Sequence, residues 1–223
     1  MNKTPITYNE IKQNADIRTY ITKADQSLIA LGYTEHSFPH VMKVAETAAG
    51  ILSQLGYSER EQELAKIAGY MHDIGNLVNR VEHSQSGAIM AFRILDNIGM
   101  EADEIATVVT AIGNHDEGTG VAVNPVAAAL ILADKTDVRC SRVRNNDTST
   151  FDIHDRVNYS VTHGELSISD DKKRITLTLT VDTAVSPVFD YFRIFTERMV
   201  MCRNAAQTLG LQFELIINGQ AIM

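Results

Sequence analysis

The fold class predicted for this chain is a mainly α-helical bundle carrying a small C-terminal α+β appendage, on three observations. Apolar residues recur at helical spacing over the first two thirds, strict alternation replaces that period in the last third, and a polar run at Asn145-Asn146-Asp147-Thr148-Ser149-Thr150 divides the two. We therefore place a helical domain at 1–147 and a small, β-rich α+β unit at 148–223. The elements follow in order. A short helix from about Ile17 to Ala30 opens the bundle and is placed on its outside. Val41, Val44, Ala48, Ile51, Leu52 and Leu55 form one stripe from Ser37 to Gly56, whose glycine suits a helix end. Leu64, Ile67, Ala68 and Met71 mark a further helix that stops at Gly75. Ala88, Ala91, Leu95 and Ile98 mark the next, from about His83 to Ile98. Ile105, Val108, Val109 and Ile112 mark another, from about Glu101 to Gly113. Asn124 as N-cap and Pro125 in the first turn start the last helix of the bundle, extended here to about Arg142. In the tail, a strand is expected at Val157 to Val161. Leu166 and Ile168, then Ile175, Leu177, Leu179 and Val181, read as a hairpin. Pro187 opens an amphipathic helix that Gly210 ends, and Leu211 to Ile217 reads as a closing strand, which makes the tail β-β-β-α-β.

Composition narrows the function. The chain has 223 residues, 44% of them hydrophobic, with 28 acidic against 20 basic residues and a formal net charge of −8. That excess argues against a nucleic-acid polymer or an anionic membrane as partner. No apolar run approaches the length of a membrane span, and the first residues lack a basic-then-apolar leader pattern. The two cysteines, Cys140 and Cys202, stand far apart, which fits a reduced, cytoplasmic protein.

The informative residues are polar ones where a core residue is expected. His72-Asp73 ends an apolar segment. His40 shares a stripe with Val44 and Ala48, and His115 continues the face of Val108 and Ile112. His83 begins a helix, and Asp134 follows the apolar run Ala127 to Ala133. Each has a plainer reading alone: a hydrogen-bonded core histidine, a capping residue, a partner for Arg139. Together they place imidazole and carboxylate groups on facing helices, a costly burial that a metal ion offsets. His154 and His163 fit no such pattern and read as surface or sheet residues. His36, one turn before His40, reads as an outer ligand or a phosphate contact.

His40-x-x-x-Val44-Ala45, His72-Asp73-Ile74-Gly75 and the late Asp134 together resemble the HD-domain superfamily of metal-dependent phosphohydrolases, over roughly residues 17–144. The added His83 and His115 resemble its two-metal subset. The stretches His83-Ser84-Gln85-Ser86-Gly87-Ala88 and Ala133-Asp134-Lys135 are similar to bacterial members that cleave dinucleoside polyphosphates. Asn76 and Asn114-His115 depart from the pattern of the cyclic-dinucleotide phosphodiesterases, and a Gly-Tyr-Pro element is absent, which argues against that activity.

The resemblance implies one metal on His40, His72, Asp73 and Asp134. Asp73, the catalytic centre, bridges to a second metal on His83 and His115. Nitrogen and oxygen ligands without thiolate suit Fe or Mn first, and also Zn, Co or Ni. The implied reaction is attack of a metal-activated hydroxide on a phosphate ester or anhydride of a small, nucleotide-like molecule. Lys135, Arg80, His36 and Arg142 are the candidate substrate contacts, with Arg139 and Arg144 nearby in sequence. Two other activities keep the same ligands: a mixed-valent di-iron oxygenase and a non-enzymatic ligand sensor. An exposed strand edge and the Phe/Met face of the last helix would suit a homodimer.

Overall fold

A computed structural model describes residues 4–222. Two helices, α1 (Tyr8–Gln13) and α2 (Ala15–Ala30), lead into α3 (Phe38–Leu55) and α4 (Glu59–Met71). A 3-10 turn at Ile74–Leu77 connects to α5 (His83–Asn97), α6 (Ala102–Gly113) and α7 (Pro125–Lys135). α1 was not foreseen; its capping box of Thr7 and Glu10 is its sequence signal. A second box, Ser58 with Glu61, starts α4.

α3, α4, α6 and α7 pack on one another, and α5 packs on α6. The α3–α4 contact is close because Gly69 is bare: a Cβ there would lie 2.7 Å from the Cα of Ala45. α2 buries Ile17, Ile21 and Leu28, and it lies against the 3-10 turn that follows His72-Asp73. It packs on the outside with one face, as expected, and that face backs the turn after the pair.

Two expected boundaries are corrected. The last bundle helix stops at Lys135 and not near Arg142: past the cap Thr136 the four-residue pattern ends, the Asp137 amide bonding the Asp134 carbonyl at 3.1 Å and the Val138 amide the Thr136 carbonyl at 2.8 Å. The segment expected as a strand at Val157 to Val161 is mostly helix, α8 (Ile153–Ser160), and only Val161 opens β1 (Val161–Ile168). The Asp152 side chain caps α8 by accepting from the Asp155 amide at 2.8 Å. β2 (Arg174–Val181) pairs antiparallel with β1. α9 (Val188–Thr208) then crosses to β3 (Gln212–Ile217), which lies parallel to β2, and the short β4 (Gln220–Ala221) closes an edge. The tail therefore reads α-β-β-α-β-β.

The apolar face of α9 is not a free surface. Phe195, Met199 and Cys202 are buried, and the helix packs on α7 as well as β3. The buried apolar cluster runs without a break from the bundle into the sheet. Among the described residues no helix is long and apolar enough to cross a membrane.

Candidate metal centre

Six polar side chains converge where α3, α4, α5, α6 and α7 meet. His40 projects from the first turn of α3, and His72 ends α4 with Asp73 directly after it. His83 is the first residue of α5, set there by Glu82 in the left-handed region at φ 60°. His115 follows α6 by two residues, and Asp134 lies in the last turn of α7. Gly75 holds the turn against α5, since a Cβ on it would fall 1.9 Å from the His83 carbonyl oxygen. No other residue fits that approach.

Each imidazole is oriented from behind. Nδ1 of His72 faces the Gly69 carbonyl at 2.8 Å, that of His83 the Arg80 carbonyl at 3.1 Å, and that of His115 the Ile112 carbonyl at 2.6 Å. A carbonyl only accepts, so these Nδ1 atoms carry the protons and each Nε2 presents a lone pair inward. Nδ1 of His40 instead meets the Asp137 carboxylate at 2.8 Å. Asp137 was missed in the sequence. It stands one turn beyond Asp134, and that spacing was the available signal.

The inward atoms lie close together, and three of them lack partners. Nε2 of His40 is 3.3 Å from Asp134 Oδ1 and 3.7 Å from Asp73 Oδ2, while Nε2 of His72 is 3.2 Å from that same Asp73 oxygen. Nε2 of His40, Nε2 of His72 and Oδ2 of Asp73 are buried with no hydrogen-bond partner. On the other side, Asp73 Oδ1 lies 3.4 Å from His83 Nε2, which lies 3.2 Å from His115 Nε2. Two imidazole lone pairs cannot hydrogen-bond to each other. A cation beside them removes the conflict.

Two sets of side chains meet ligand spacing, His40 with His72 and Asp134, and His72 with Asp73 and His115. His72 thus belongs to both sets, as Asp73 faces both sides. The charges agree. Burial disfavours ionised Asp73 and Asp134, yet His72 beside the first and Lys135 beside the second hold both well below the usual carboxylate range. Burial also disfavours charged His72, but Asp73 and Asp134 outweigh it and push His72 up to about 10. The oxygens draw positive charge: in the metal-free chain a proton on Nε2 of His72 supplies part of it beside Lys135, and a metal there would take that proton's place. His115 and His36 are held well below their ordinary value, first by burial, and so keep neutral rings.

The cluster floors a cavity of about 390 Å³. All four candidate substrate contacts reach it, in different states. Arg142 is the most committed: its Nε donates to the Glu35 carbonyl and its Nη1 to the Asp137 carbonyl, both at 3.0 Å, with the Asp137 carboxylate farther off at 3.9 Å. Arg80 lies 3.3 Å from both Asn76 Oδ1 and His83 Nε2 and stacks on Tyr33. His36 bonds through Nδ1 to the Thr34 carbonyl at 2.7 Å. Lys135 is already surrounded, with Asp134 at 2.9 Å, Glu117 at 3.2 Å and Asp116 at 3.5 Å. Of the nearby arginines, Arg139 pairs with Asp137 and Glu35, and Arg144 pairs with Asp25. Neither lines the cavity. Arg198 of α9 does, and so does His154 of α8, which is exposed, as expected of a surface residue, and yet faces the cavity.

The HD domain family model matches residues 38–139, the span that carries all six converging residues. This chain contains an HD domain. An uncharacterized protein of Methanocaldococcus jannaschii is 28% identical over 189 residues, covering 74% of this chain and 72% of its own. A solved structure of a predicted HD superfamily hydrolase from an uncultured Thermotogales bacterium is 25% identical, with a TM-score of 0.44 over 56% of this chain and 67% of that one. The matched HD domain ends before α8 and α9, which supply part of the cavity wall.

Proposed function

We propose that this protein is a metal-dependent phosphohydrolase acting on a small phosphate ester or anhydride of nucleotide type. The observation that carries the reading is the set of orphaned inward atoms on His40, His72 and Asp73, of which Asp73 lies, with His83, His115 and Asp134, on the floor of a cavity that Arg80 and Arg142 also line. Divalent ions held there would lower the pKa of water and offset charge on a phosphoryl group. Iron or manganese suits the all-N/O donor set best, with Zn, Co or Ni also compatible. His40, His72, Asp73, His83, His115 and Asp134 are the proposed ligands, and Asp73 joins the two sides.

The rest of the work falls to other residues of the chain. Arg142, fixed by two backbone carbonyls, presents a standing positive charge to a phosphate oxygen. Arg80 reaches the same space from beside His83. Asp137 orients the His40 ring, and Lys135 balances Asp134 rather than serving as a free phosphate contact.

The test is metal analysis of the purified chain with a phosphate-release screen over p-nitrophenyl phosphate, nucleotides and dinucleotides. Release that a chelator abolishes and Mn²⁺ restores is the expected result. A metal-loaded protein that frees phosphate from none of them, or acts only with Fe and O₂, overturns the reading.

A further inference from the structure

The cavity does not end within the HD domain. One wall is α8 with its cap Asp152, and the helix itself contributes His154, Asp155 and Asn158. Positions 154, 155 and 158 share one helical face by their three- and four-residue spacing. Asn158 is only 6% exposed. Its Nδ2 donates to the His154 carbonyl at 2.9 Å, while its Oδ1 has no hydrogen-bond partner among the described residues. An amide oxygen left open on a side chain that is otherwise buried in a cavity wall is an unused acceptor facing the cavity. The ring nitrogens of His154 hydrogen-bond to none of the described residues, and the ring is exposed at the mouth. Asp155, partly buried, adds carboxylate oxygens beside them.

The two ends of the cavity thus offer opposite chemistry. The floor has inward ligand atoms and arginines, which take an anion. The α8 wall has oxygen acceptors and an imidazole, which take hydroxyl or amino donors. Inorganic phosphate or a small aryl phosphate satisfies only the floor. A volume of about 390 Å³ holds more than a phosphate and lies within the range of about 300–1,000 Å³ typical of small-molecule sites.

We infer that α8 is the substrate-selecting wall of this site, with Asn158, Asp155 and His154 receiving the hydroxyl-bearing sugar of a ribose phosphate while the HD floor takes its phosphate. The inference rests on the phosphohydrolase reading for turnover but not for binding. A ribose phosphate is favoured because its vicinal hydroxyls are donors as well as acceptors, and a wall of acceptors rewards only donors.

The experiment uses the full, metal-loaded chain with adenosine 5′-monophosphate, ribose 5-phosphate and p-nitrophenyl phosphate. It compares wild type with His154→Ala and Asn158→Leu, after circular dichroism has shown that each variant folds. His154→Ala removes an exposed ring and keeps the trial valid if Asn158→Leu does not fold. For each side chain the preference for the sugar phosphates over p-nitrophenyl phosphate, as a ratio of kcat/KM, should fall about 3–10-fold and chiefly through KM, the size expected for one hydrogen bond. An unchanged ratio overturns the inference, whether activity stays high or falls equally on all three. Calorimetric titration separates the two readings. If nothing turns over, but adenosine 5′-monophosphate binds more tightly than inorganic phosphate and His154→Ala erases the difference, the wall stands and the hydrolase falls. If wild type binds both alike, the wall falls.

Discussion

The floor and the α8 wall of one cavity are built by opposite means. On the floor every ring is pinned through Nδ1, the histidines are almost wholly buried, and the inward atoms Nε2 of His40, Nε2 of His72 and Oδ2 of Asp73 remain unpaired. On the wall only Asn158 is buried, His154 is exposed and Asp155 partly so, and the backbone is an eight-residue helix started by a single cap. A ligand cluster needs positions set within fractions of an ångström, and rigid helices locked by backbone carbonyls provide that. A wall that selects the rest of a substrate needs only donors and acceptors within reach. The difference teaches that affinity for metal and choice of substrate are separable here, and each substitution below is directed at that separation.

The largest effect is expected from Asp73→Ala. One carboxylate faces His40 and His72 with Oδ2 and His83 with Oδ1, so its loss opens both sides of the floor at once. Bound metal should fall below one equivalent by mass spectrometry, and phosphate release by about 10²–10³-fold. His154→Ala, by contrast, should retain its metal. Full metal content in Asp73→Ala would break the comparison at its root.

A smaller loss is expected from Asp137→Asn. The Asp137 carboxylate receives His40 Nδ1 at 2.8 Å and also pairs with Lys43 and Arg139, each at 2.9 Å. Chelator competition should show metal affinity lowered by about tenfold, the lower end for partners that orient a ligand. The same residue gives a pH signature. Burial pushes Asp137 up, but the His40 hydrogen bond and the Arg142 charge hold it far below the usual carboxylate range. A carboxylate depressed in the folded state contributes stability that is full above its unfolded pKa of about 3.9 and lost as pH falls toward the folded value. Metal-free wild type should therefore lose Tm between about pH 5 and pH 3 more steeply than Asp137→Asn. Parallel curves would mean that Asp137 carries no such linkage.

The same contrast explains what could be read from the chain alone. His40, His72, His115 and Asp134 were visible because each interrupts an apolar stripe of known period. Asp137 and Glu117 lie in loops, where no apolar period exists to interrupt, and only the three-residue step from Asp134 pointed to Asp137. α8 was misread because Val157, Tyr159 and Val161 satisfy a two-residue alternation, while Ile153 and Val157 satisfy a helical one just as well. The Asp152 cap decides between them, and its partner is a backbone amide that sequence spacing suggests only weakly. Arg198 was missed for another reason. It reaches the cavity only because α9 folds back onto α7, a contact between residues far apart in the chain.

That fold-back supplies the gentlest way to sharpen the comparison. Glu117 joins the two halves, taking Arg198 Nε at 2.5 Å on one oxygen and Lys135 Nζ at 3.2 Å on the other, while Lys135 in turn holds Asp134. Burial pushes Glu117 up, but Lys135 and Arg198 hold it far below the usual range. Glu117→Gln keeps an acceptor and removes the charge. The partners are largely but not fully buried, so the cost should be about 1–2 kcal/mol, seen as a Tm lowered by roughly 2–8 °C in a chain of this size. Metal content should stay at the wild-type level, because Asp134 still has His40 and His72 before it. If Glu117→Gln instead strips metal as Asp73→Ala does, the chain of charges from α9 to Asp134 sets the ligand geometry. Wall and floor would then work as one unit.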